Sequence, residues 1–346
     1  MFRKKRSPKT SVVGLELDAG HVAAAEVSVD GSLTLTRGAV AELRPGVMRD
    51  GEVVDPLALA EVVKTLFAEN DLPKRVRLGI AQQRIVVRTL DLEAVVEDPD
   101  ALAAAVREVA PDHIPMPMDE AVMDFQSLGV VNTPLGLRSR VIVVAVRREM
   151  VERAVAAIEG AGLDIEGIDL SAFGMVRALA TEHEGAVLYI NVAGLVNVAV
   201  ANAGGCLFTR ASAGGTEAIA TALAERRGLT LEHARAWMTH VGLSAPLDGI
   251  EGDPELVSAT RDALEDGVRE LADHIRTSLN FYRTQDAAET VELGIVTGAA
   301  VSIPGFVERL SDQLRLPLEA RVIDGPEGAD AGRLTVAAGL AVAERP

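Results

Sequence analysis

Two short turns in this sequence combine carboxylate or amide side chains with glycine, and turns of this composition can bind phosphate. Glu16, Asp18 and Gly20 belong to the first turn, and Asn191 and Gly194 belong to the second. Glycine lets backbone N–H groups approach a phosphate closely, and a carboxylate can hold Mg²⁺. The two turns therefore predict a phosphate site, with Glu16 as its candidate metal ligand.

Each turn belongs to a run of apolar strands in a similar order. The first run covers residues 12–35 and the second covers residues 186–216. When Glu16 is aligned with Asn191, the next turns along the chain fall within one residue of each other. This weak repeat predicts two similar lobes that face a cleft, although two ordinary meanders of an α/β protein would give the same pattern.

The composition is typical of a folded protein with an acidic surface. The chain has 346 residues, of which 48% are hydrophobic and 25% are charged, so it is long enough for two domains. Its formal charge of −17 argues against nucleic-acid binding, which needs a basic face. The six histidines are scattered and predict no metal site, and the single cysteine, Cys206, is expected to be a core thiol in a strand.

The sequence predicts neither a membrane-spanning helix nor a signal peptide. A membrane helix needs about 18 consecutive apolar residues, and no run of the chain approaches that length. The basic leader at residues 1–9 is expected to be a disordered tip. The alternative is a weak attraction of this leader to an anionic membrane surface.

The pattern changes between residues 85 and 154. A strand, an alanine-rich helix ended by Pro111 and two further strands predict a small α+β insert. Met116 and Met118 lie in an extended segment, where they would either fill the edge of a core or line a groove for a partner. After the insert, Ser171 is expected to cap a helix.

The second half of the chain predicts helices around a further strand and turn. Helices are expected at 216–227, 231–241 and 254–284. The strand that follows ends in a turn of small residues that includes Gly298 and Ala299. Such a turn lets a planar ring or a phosphate lie against the backbone.

Four stretches of the sequence resemble the PilM family of type IV pilus assembly proteins, which is actin-like and related to the cell-division protein FtsA. They are residues 110–129, 156–179, 276–285 and 297–319. The resemblance spans nearly the whole chain, and the first and third stretches are specific to this family rather than to actin-like folds in general. It implies an α/β, bilobal actin-like ATPase fold (ribonuclease H-like, duplicated) with a small α+β insert.

The resemblance also implies a division into domains. The first lobe would comprise residues 10–84 and 155–184, interrupted by an insert of the SHS2 type at 85–154. The second lobe would comprise residues 185–223 and 291–346, with a helical subdomain at 224–290.

The resemblance further implies a partner and a location. Proteins of this family lie under the inner membrane and bind the short cytoplasmic N-terminal segment of a single-pass protein, PilN, in a groove that involves the insert. This chain is therefore expected to be cytoplasmic, peripheral to the inner face of the cell membrane, and bound to a PilN-like protein and other pilus assembly proteins. Ile114, Met116 and Met118 are the predicted groove residues.

Family members have a nucleotide cleft, so ATP and Mg²⁺ are the implied cofactors. The residues that would bind them are Glu16 (also as the metal ligand), Asp18, Gly20, Asn191, Gly194, Gly214, Gly215, Gly298 and Ala299. The phosphate loops depart from the family pattern, because Asp18 stands at a glycine position, Ala23 at a lysine position and Asn191 at an aspartate position. These changes predict weak or absent ATP hydrolysis and leave ATP binding open.

The expected function is a scaffold of the pilus assembly platform, and two alternatives differ from it in testable features. An active phosphotransferase, such as a sugar kinase, needs a carboxylate base in the cleft, and no aspartate here has a motif for that role. An FtsA-like division protein would carry an amphipathic membrane helix after a linker, whereas this sequence ends at Pro346 directly after the last predicted helix.

Overall fold

A five-stranded sheet forms the centre of the first lobe. The computed structural model describes residues 11–285 and 288–343, so the predicted leader at 1–9 lies outside the described residues. The lobe begins with β1 (Val13–Leu17), β2 (His21–Val29), β3 (Leu33–Glu42), the short pair β4 (Met48–Arg49) and β5 (Glu52–Val53), α1 (Pro56–Glu69) and β6 (Arg75–Ile80). All of β1 is buried, because other elements cover both faces of the sheet.

The insert is a three-stranded antiparallel sheet with one helix. It consists of β7 (Val86–Asp91), α2 (Pro99–His113), β8 (Ala121–Thr133) and β9 (Gly136–Arg147), in the strand order β7-β9-β8. The prediction that Pro111 ends α2 is wrong, because the helix continues to His113. A proline this close to the C-terminal end removes only one helical hydrogen bond, and the Ile114 N–H still donates to the Ala110 carbonyl at 3.1 Å.

The chain returns to the first lobe through α3 (Arg148–Gly160), β10 (Asp164–Leu170) and α4 (Ser171–Ala178). β10 pairs in parallel with β6 and forms one edge of the sheet, whose order is β10-β6-β1-β2-β3. The predicted cap at Ser171 is wrong. Leu170 occupies the N-cap position, and the buried Ser171 hydroxyl has no hydrogen-bond partner among the described residues. The helix begins one residue earlier than the sequence indicates, so the hydroxyl is past the position from which a cap can reach the N–H groups of the first turn.

The second lobe repeats the sheet of the first. Its elements are β11 (Ala186–Val192), β12 (Val196–Asn202), β13 (Gly205–Ser212), α5 (Thr216–Arg227), α6 (Leu231–Val241), α7 (Pro254–Arg283), β14 (Val291–Thr297), α8 (Phe306–Leu314) and β15 (Leu318–Ala320), and the chain continues into α9 (Ala331–Leu340). The strand order is β13-β12-β11-β14-β15. In both sheets the central strand, β1 or β11, begins an antiparallel meander on one side and pairs with a parallel strand on the other. This common order confirms the prediction of two similar lobes.

Two further expectations concern the core and the membrane. Cys206 lies buried in β13, and burial raises the pKa of its thiol to about 12, so the sulfur is uncharged. Within residues 11–285 and 288–343, no helix is long and apolar enough to cross a membrane.

Close glycine contacts join the last helix to the first lobe. α9 packs on β1 and on α4, although it follows the second sheet in the chain. A Cβ at Gly14 would lie 1.8 Å from the carbonyl oxygen of Ala337, and a Cβ at Gly339 would lie 1.8 Å from that of Gly174. Only glycine permits backbones to approach this closely, so these positions hold α9 against the first lobe.

Candidate functional site

The two turns predicted from the sequence meet, and the carboxylate of Asp18 joins them. Asp18 Oδ1 accepts hydrogen bonds from the Gly194 N–H at 2.8 Å and the Gly20 N–H at 3.2 Å, and Oδ2 accepts one from the Leu195 N–H at 3.1 Å. A Cβ at Gly194 would lie 2.0 Å from Asp18 Oδ1, so glycine is needed for this approach. One carboxylate of the first lobe is therefore bound by backbone N–H groups of both lobes.

The surroundings of Asp18 keep it ionised although it is only 2% exposed. Burial favours the neutral acid, but hydrogen bonding to His21, the electrostatic interaction with that ring and the N–H groups of Leu195 and Gly20 outweigh burial and lower the pKa of Asp18. His21 Nδ1 lies 3.3 Å from Asp18 Oδ1. Among the described residues, the other ring nitrogen of His21 is buried without a hydrogen-bond partner.

The aligned pair Glu16 and Asn191 also meet, each one residue before the end of its central strand. Asn191 Nδ2 donates a hydrogen bond to Glu16 Oε1 at 3.4 Å, and both side chains are 2% exposed. Burial, and after it the charge of Asp18, raise the pKa of Glu16 well above its usual value, although Arg333 opposes this. In the described part of the chain, no three His, Cys, Asp or Glu residues are grouped as a metal site. Glu16 as a metal ligand stays a prediction.

The raised pKa of Glu16 predicts a specific dependence of stability on pH. A raised folded-state pKa contributes stability that is fully present below the unfolded-state pKa and is lost as the pH rises through the folded-state pKa. Glu16→Gln removes the ionisable group and keeps an oxygen acceptor. We expect this variant to be more stable than the wild type by about 1–2 kcal/mol at pH 8 and by much less at pH 4. Urea unfolding at both pH values measures the difference.

Glu159→Gln is the matched control, because Glu159 is exposed on α3. Its stability should follow the wild-type pH profile. Parallel profiles of Glu16→Gln and the wild type would show instead that burial of Glu16 does not raise its pKa.

Ion pairs between distant elements cross the cleft beside these turns. Glu42, at the end of β3, lies 2.5 Å from an Arg333 nitrogen on α9 and 2.6 Å from an Arg235 nitrogen on α6. Arg235 also lies 2.7 Å from Glu217 on α5. All four side chains line one pocket of about 150 Å³. The sequence did not predict this network, because no motif connects residues so far apart in the chain.

Only part of the predicted nucleotide-binding set lines the same pocket. Three of the predicted residues line it: Gly20, Gly194 and Ala299. Gly298 has a φ of 94°, and a Cβ there would lie 2.3 Å from Asn191 Oδ1. A Cβ at Gly215 would lie 2.0 Å from the Ala193 carbonyl oxygen, and Gly214 has a φ of 92°. Backbone conformation or close packing therefore favours glycine at Gly214, Gly215 and Gly298. A role of these residues in binding nucleotide stays a prediction.

The three predicted groove residues have different surroundings. Ile114 is 5% exposed in the core of the insert, and Met118 packs against the same core. Met116 also packs there and lines a groove between the insert and the second lobe. The partner role of all three residues stays a prediction.

A second groove lies between the insert and the first lobe, where two sheet edges face each other. β8 is an edge of the insert sheet, and β10 is an edge of the first sheet. This groove, here called the docking groove, has a volume of about 440 Å³. Its apolar lining includes Val122, Val144, Val151, Ile168 and Phe173. Asp124 and the ion pair of Asp169 with Arg177, at 2.5 Å, also line the docking groove.

Known structures share the fold of this chain. The chain is similar to EutJ, the ethanolamine utilization protein of Carboxydothermus hydrogenoformans, at 16% identity, with a TM-score of 0.56 and coverage of 97% of this chain and 90% of that chain. It is also similar to MreB 5 of Spiroplasma citri bound to AMPPNP, at 12% identity, with a TM-score of 0.52 and coverage of 96% and 95%. These neighbours confirm the actin-like fold.

Two further likenesses concern type IV pilus assembly. A structure described as the PilM-PilN type IV pilus biogenesis complex matches at 25% identity, with a TM-score of 0.77 and coverage of 96% of this chain and 98% of that chain. The profile of the family "Type IV pilus assembly protein PilM" matches residues 14–335. The resemblance seen in the sequence is thereby confirmed. The chain belongs to the PilM family of type IV pilus assembly proteins.

Proposed function

We propose that this chain is a cytoplasmic scaffold at the inner face of the cell membrane, which binds the N-terminal cytoplasmic peptide of a PilN-like protein and hydrolyses ATP weakly or not at all. Family membership and the similarity to a PilM-PilN complex support the partner. The observation that carries the loss of hydrolysis is the position of the Asp18 carboxylate between the two turns. Other pilus assembly proteins would contact the same scaffold.

The phosphate groups of ATP do not fit the turns as they stand. Backbone N–H groups of a glycine turn bind phosphate when they are available to it. Here the N–H groups of Gly20, Gly194 and Leu195 already donate to Asp18, whose lowered pKa keeps it negatively charged. A triphosphate would have to displace this carboxylate and would be repelled by it. The pocket of about 150 Å³ is also smaller than the roughly 300–1,000 Å³ of ordinary ligand sites.

A Mg²⁺ ion does not fit the described cleft either. Magnesium prefers ionised carboxylates and phosphate oxygens. Burial raises the pKa of Glu16 and so favours its neutral form, while Asn191 offers an amide in place of a carboxylate. Asp18 is ionised, but its carboxylate oxygens already accept hydrogen bonds from three N–H groups. These residues provide no second charged ligand, so we derive no hydrolytic step for this protein.

The docking groove has the features of a site for an extended peptide. Because β8 and β10 are edge strands, either can add a further strand, and the apolar side chains between them can hold side chains of that strand. Main-chain pairing supplies affinity in this mode, and the pockets supply specificity. The insert therefore provides one wall of the groove and the first lobe the other.

Charge also favours a cytoplasmic segment next to a membrane helix. Such segments carry an excess of lysine and arginine. The chain has a formal charge of −17, and Asp124 lines the docking groove with no ion pair to another described residue. A basic peptide is thus attracted to this surface over a distance of about 10 Å at moderate salt.

Calorimetric titration with the N-terminal peptide of a PilN-like protein, combined with a phosphate-release assay, tests both parts of this proposal. We expect a micromolar Kd that is the same with and without Mg-ATP, and no measurable heat from Mg-ATP alone. Steady release of phosphate from Mg-ATP would contradict the loss of hydrolysis. Absence of peptide binding at high micromolar concentrations would contradict the docking role.

A further inference from the structure

The groove lined by Met116 lies on the opposite edge of the insert sheet from the docking groove. It has a volume of about 510 Å³, which is within the range of ordinary ligand sites. Its walls are β7, an edge of the insert sheet, and β13, an edge of the second sheet. The two strands meet where the Thr89 hydroxyl donates to the Leu207 carbonyl oxygen at 3.2 Å. The groove is thus a second place where an extended segment can lie along a sheet edge.

Four arginines line this groove, here called the arginine groove: Arg84, Arg88, Arg147 and Arg210. No aspartate or glutamate of the described residues is among its lining residues. Arg84 lies 3.4 Å from Glu52. The other three form no ion pair within 4.0 Å of any carboxylate in the described ranges, and Arg88 donates only to the Val87 carbonyl.

This concentration of positive charge is unusual for the composition of the chain. The chain has 51 aspartates and glutamates but only 34 lysines and arginines. Carboxylates are thus plentiful, and arginines without a carboxylate neighbour need another explanation. Arginines placed together repel each other and favour an anionic ligand. The guanidinium group is suited to carboxylates, because it can donate two parallel hydrogen bonds.

An exposed aromatic side chain lies among the arginines. Phe281, on α7, is 48% exposed, and its ring centroid lies 6.1 Å from that of Phe208 at a tilted angle. Met116, Ile85 and Val87 complete an apolar lining. A groove with apolar surface between positive charges is complementary to a segment in which acidic and apolar side chains alternate. Alternation with a period of two residues is typical of a β-strand.

We infer that the arginine groove binds an extended, acidic segment of another protein, with an aromatic or large aliphatic side chain of that segment packed on Phe281. A flat lipid surface fits this site less well, because the arginines lie in a groove between two sheets and the chain carries a formal charge of −17. This surface is separate from the docking groove, so it would let the scaffold hold a second protein at the same time.

Fluorescence anisotropy with a short labelled peptide of alternating glutamate and phenylalanine tests the inference. We expect the wild type to bind it with a Kd that rises with added salt. The double variant Arg88→Glu with Arg210→Glu should weaken binding at least ~tenfold, and Phe281→Ser should weaken it by several-fold. These three side chains are partly or fully exposed, so the variants are expected to fold, and their circular dichroism and thermal unfolding check this.

The matched control is Arg153→Glu with Arg269→Glu, which changes the net charge equally at exposed sites that do not line the groove. It should bind the peptide almost as the wild type does. Equal loss in the control and in the groove variant would mean that only the total charge matters, and equal binding of a lysine and phenylalanine peptide would exclude an acidic ligand. Either result overturns the inference.

Two more measurements distinguish the arginine groove from a lipid-binding surface and from the docking groove. Vesicles of phosphatidylglycerol should not retain the wild type, and retention that is lost in the Arg88 and Arg210 double variant would assign the groove to lipid. The unlabelled N-terminal peptide of the PilN-like protein should not displace the acidic peptide. Displacement would make the two grooves one site and would refute a second partner, whereas failure of the PilN-like peptide to bind at all would affect only the proposed function.

Discussion

Asp18→Gly is expected to lower the free energy of unfolding by about 3 kcal/mol and to make the protein respond to pyrophosphate, which the wild type should not do. The variant loses a carboxylate that accepts hydrogen bonds from the N–H groups of Gly20, Gly194 and Leu195. Hydrogen bonds to a charged group contribute ~1.5–3 kcal/mol each when they are made, and part of this loss is recovered by water. Urea unfolding with and without sodium pyrophosphate measures both effects.

The response to pyrophosphate follows from the geometry of the same three N–H groups. Without the carboxylate they are available to another anion, and the negative charge that repels phosphate is gone. A ligand that binds only the folded variant raises its stability by RT ln(1 + [L]/Kd), or ~2.7 kcal/mol at a hundredfold excess over Kd. The wild type has these donors occupied and should gain nothing.

Asp98→Gly provides the matched control for Asp18→Gly. Asp98 also accepts a backbone hydrogen bond, from the Ala101 N–H at 2.8 Å, but does so at an exposed start of α2. Glycine at an N-cap costs only a few tenths of a kcal/mol, and no response to pyrophosphate is expected. If Asp18→Gly were as stable as the wild type, or equally insensitive to pyrophosphate, the carboxylate would not act as an internal substitute for phosphate.

Ile168→Asp is expected to weaken binding of the PilN-like N-terminal peptide ~30-fold or more, which corresponds to about 2 kcal/mol. Ile168 is 38% exposed on the edge strand β10 and lines the docking groove, so its replacement has little effect on the core. A bound peptide would bury the new carboxylate against the apolar side chains that line the groove, and this desolvation outweighs the attraction of the carboxylate to a basic peptide. Calorimetric titration of the variant with the same peptide measures the loss.

Val322→Asp is the control for this substitution, because Val322 is 41% exposed and does not line the docking groove. It introduces the same charge at a similar exposure and should bind the peptide as the wild type does. Retained affinity in Ile168→Asp would mean that the peptide binds elsewhere, for instance against Met116 in the arginine groove. Both variants should unfold at nearly the wild-type urea concentration.

Much of the fold could be predicted from local patterns. The meanders at 12–35 and 186–216, and the helices at 216–227 and 231–241, follow from apolar periodicity and turn residues that act over a few positions. Alignment of Glu16 with Asn191 predicted the duplicated sheet, since one strand order is encoded twice. The errors at Pro111 and Ser171 concern element ends, where one residue of displacement changes which group can be a cap.

The candidate site was predicted only in part. The sequence identified Asp18 as a departure from the family's phosphate turn and predicted weak or absent ATP hydrolysis. It could not show that the carboxylate accepts hydrogen bonds from the N–H groups that a phosphate would use. Nor could it show that Glu42 contacts Arg235 and Arg333. The two grooves beside the insert are likewise formed by edges of separate sheets, and no local pattern records which edges face each other.

The sequence by itself determined the two lobes, the insert and the chemical types of the residues in the turns, because neighbouring residues decide strands, helices and turns. The tertiary structure decided what those residues do. Asp18 and Gly194 are separated by 176 positions along the chain, and a hydrogen bond of 2.8 Å between them exists only because packing of the lobes brings the two turns together. Such a contact depends on the position of every element between them, which is why it can be observed in the folded chain and not in its sequence.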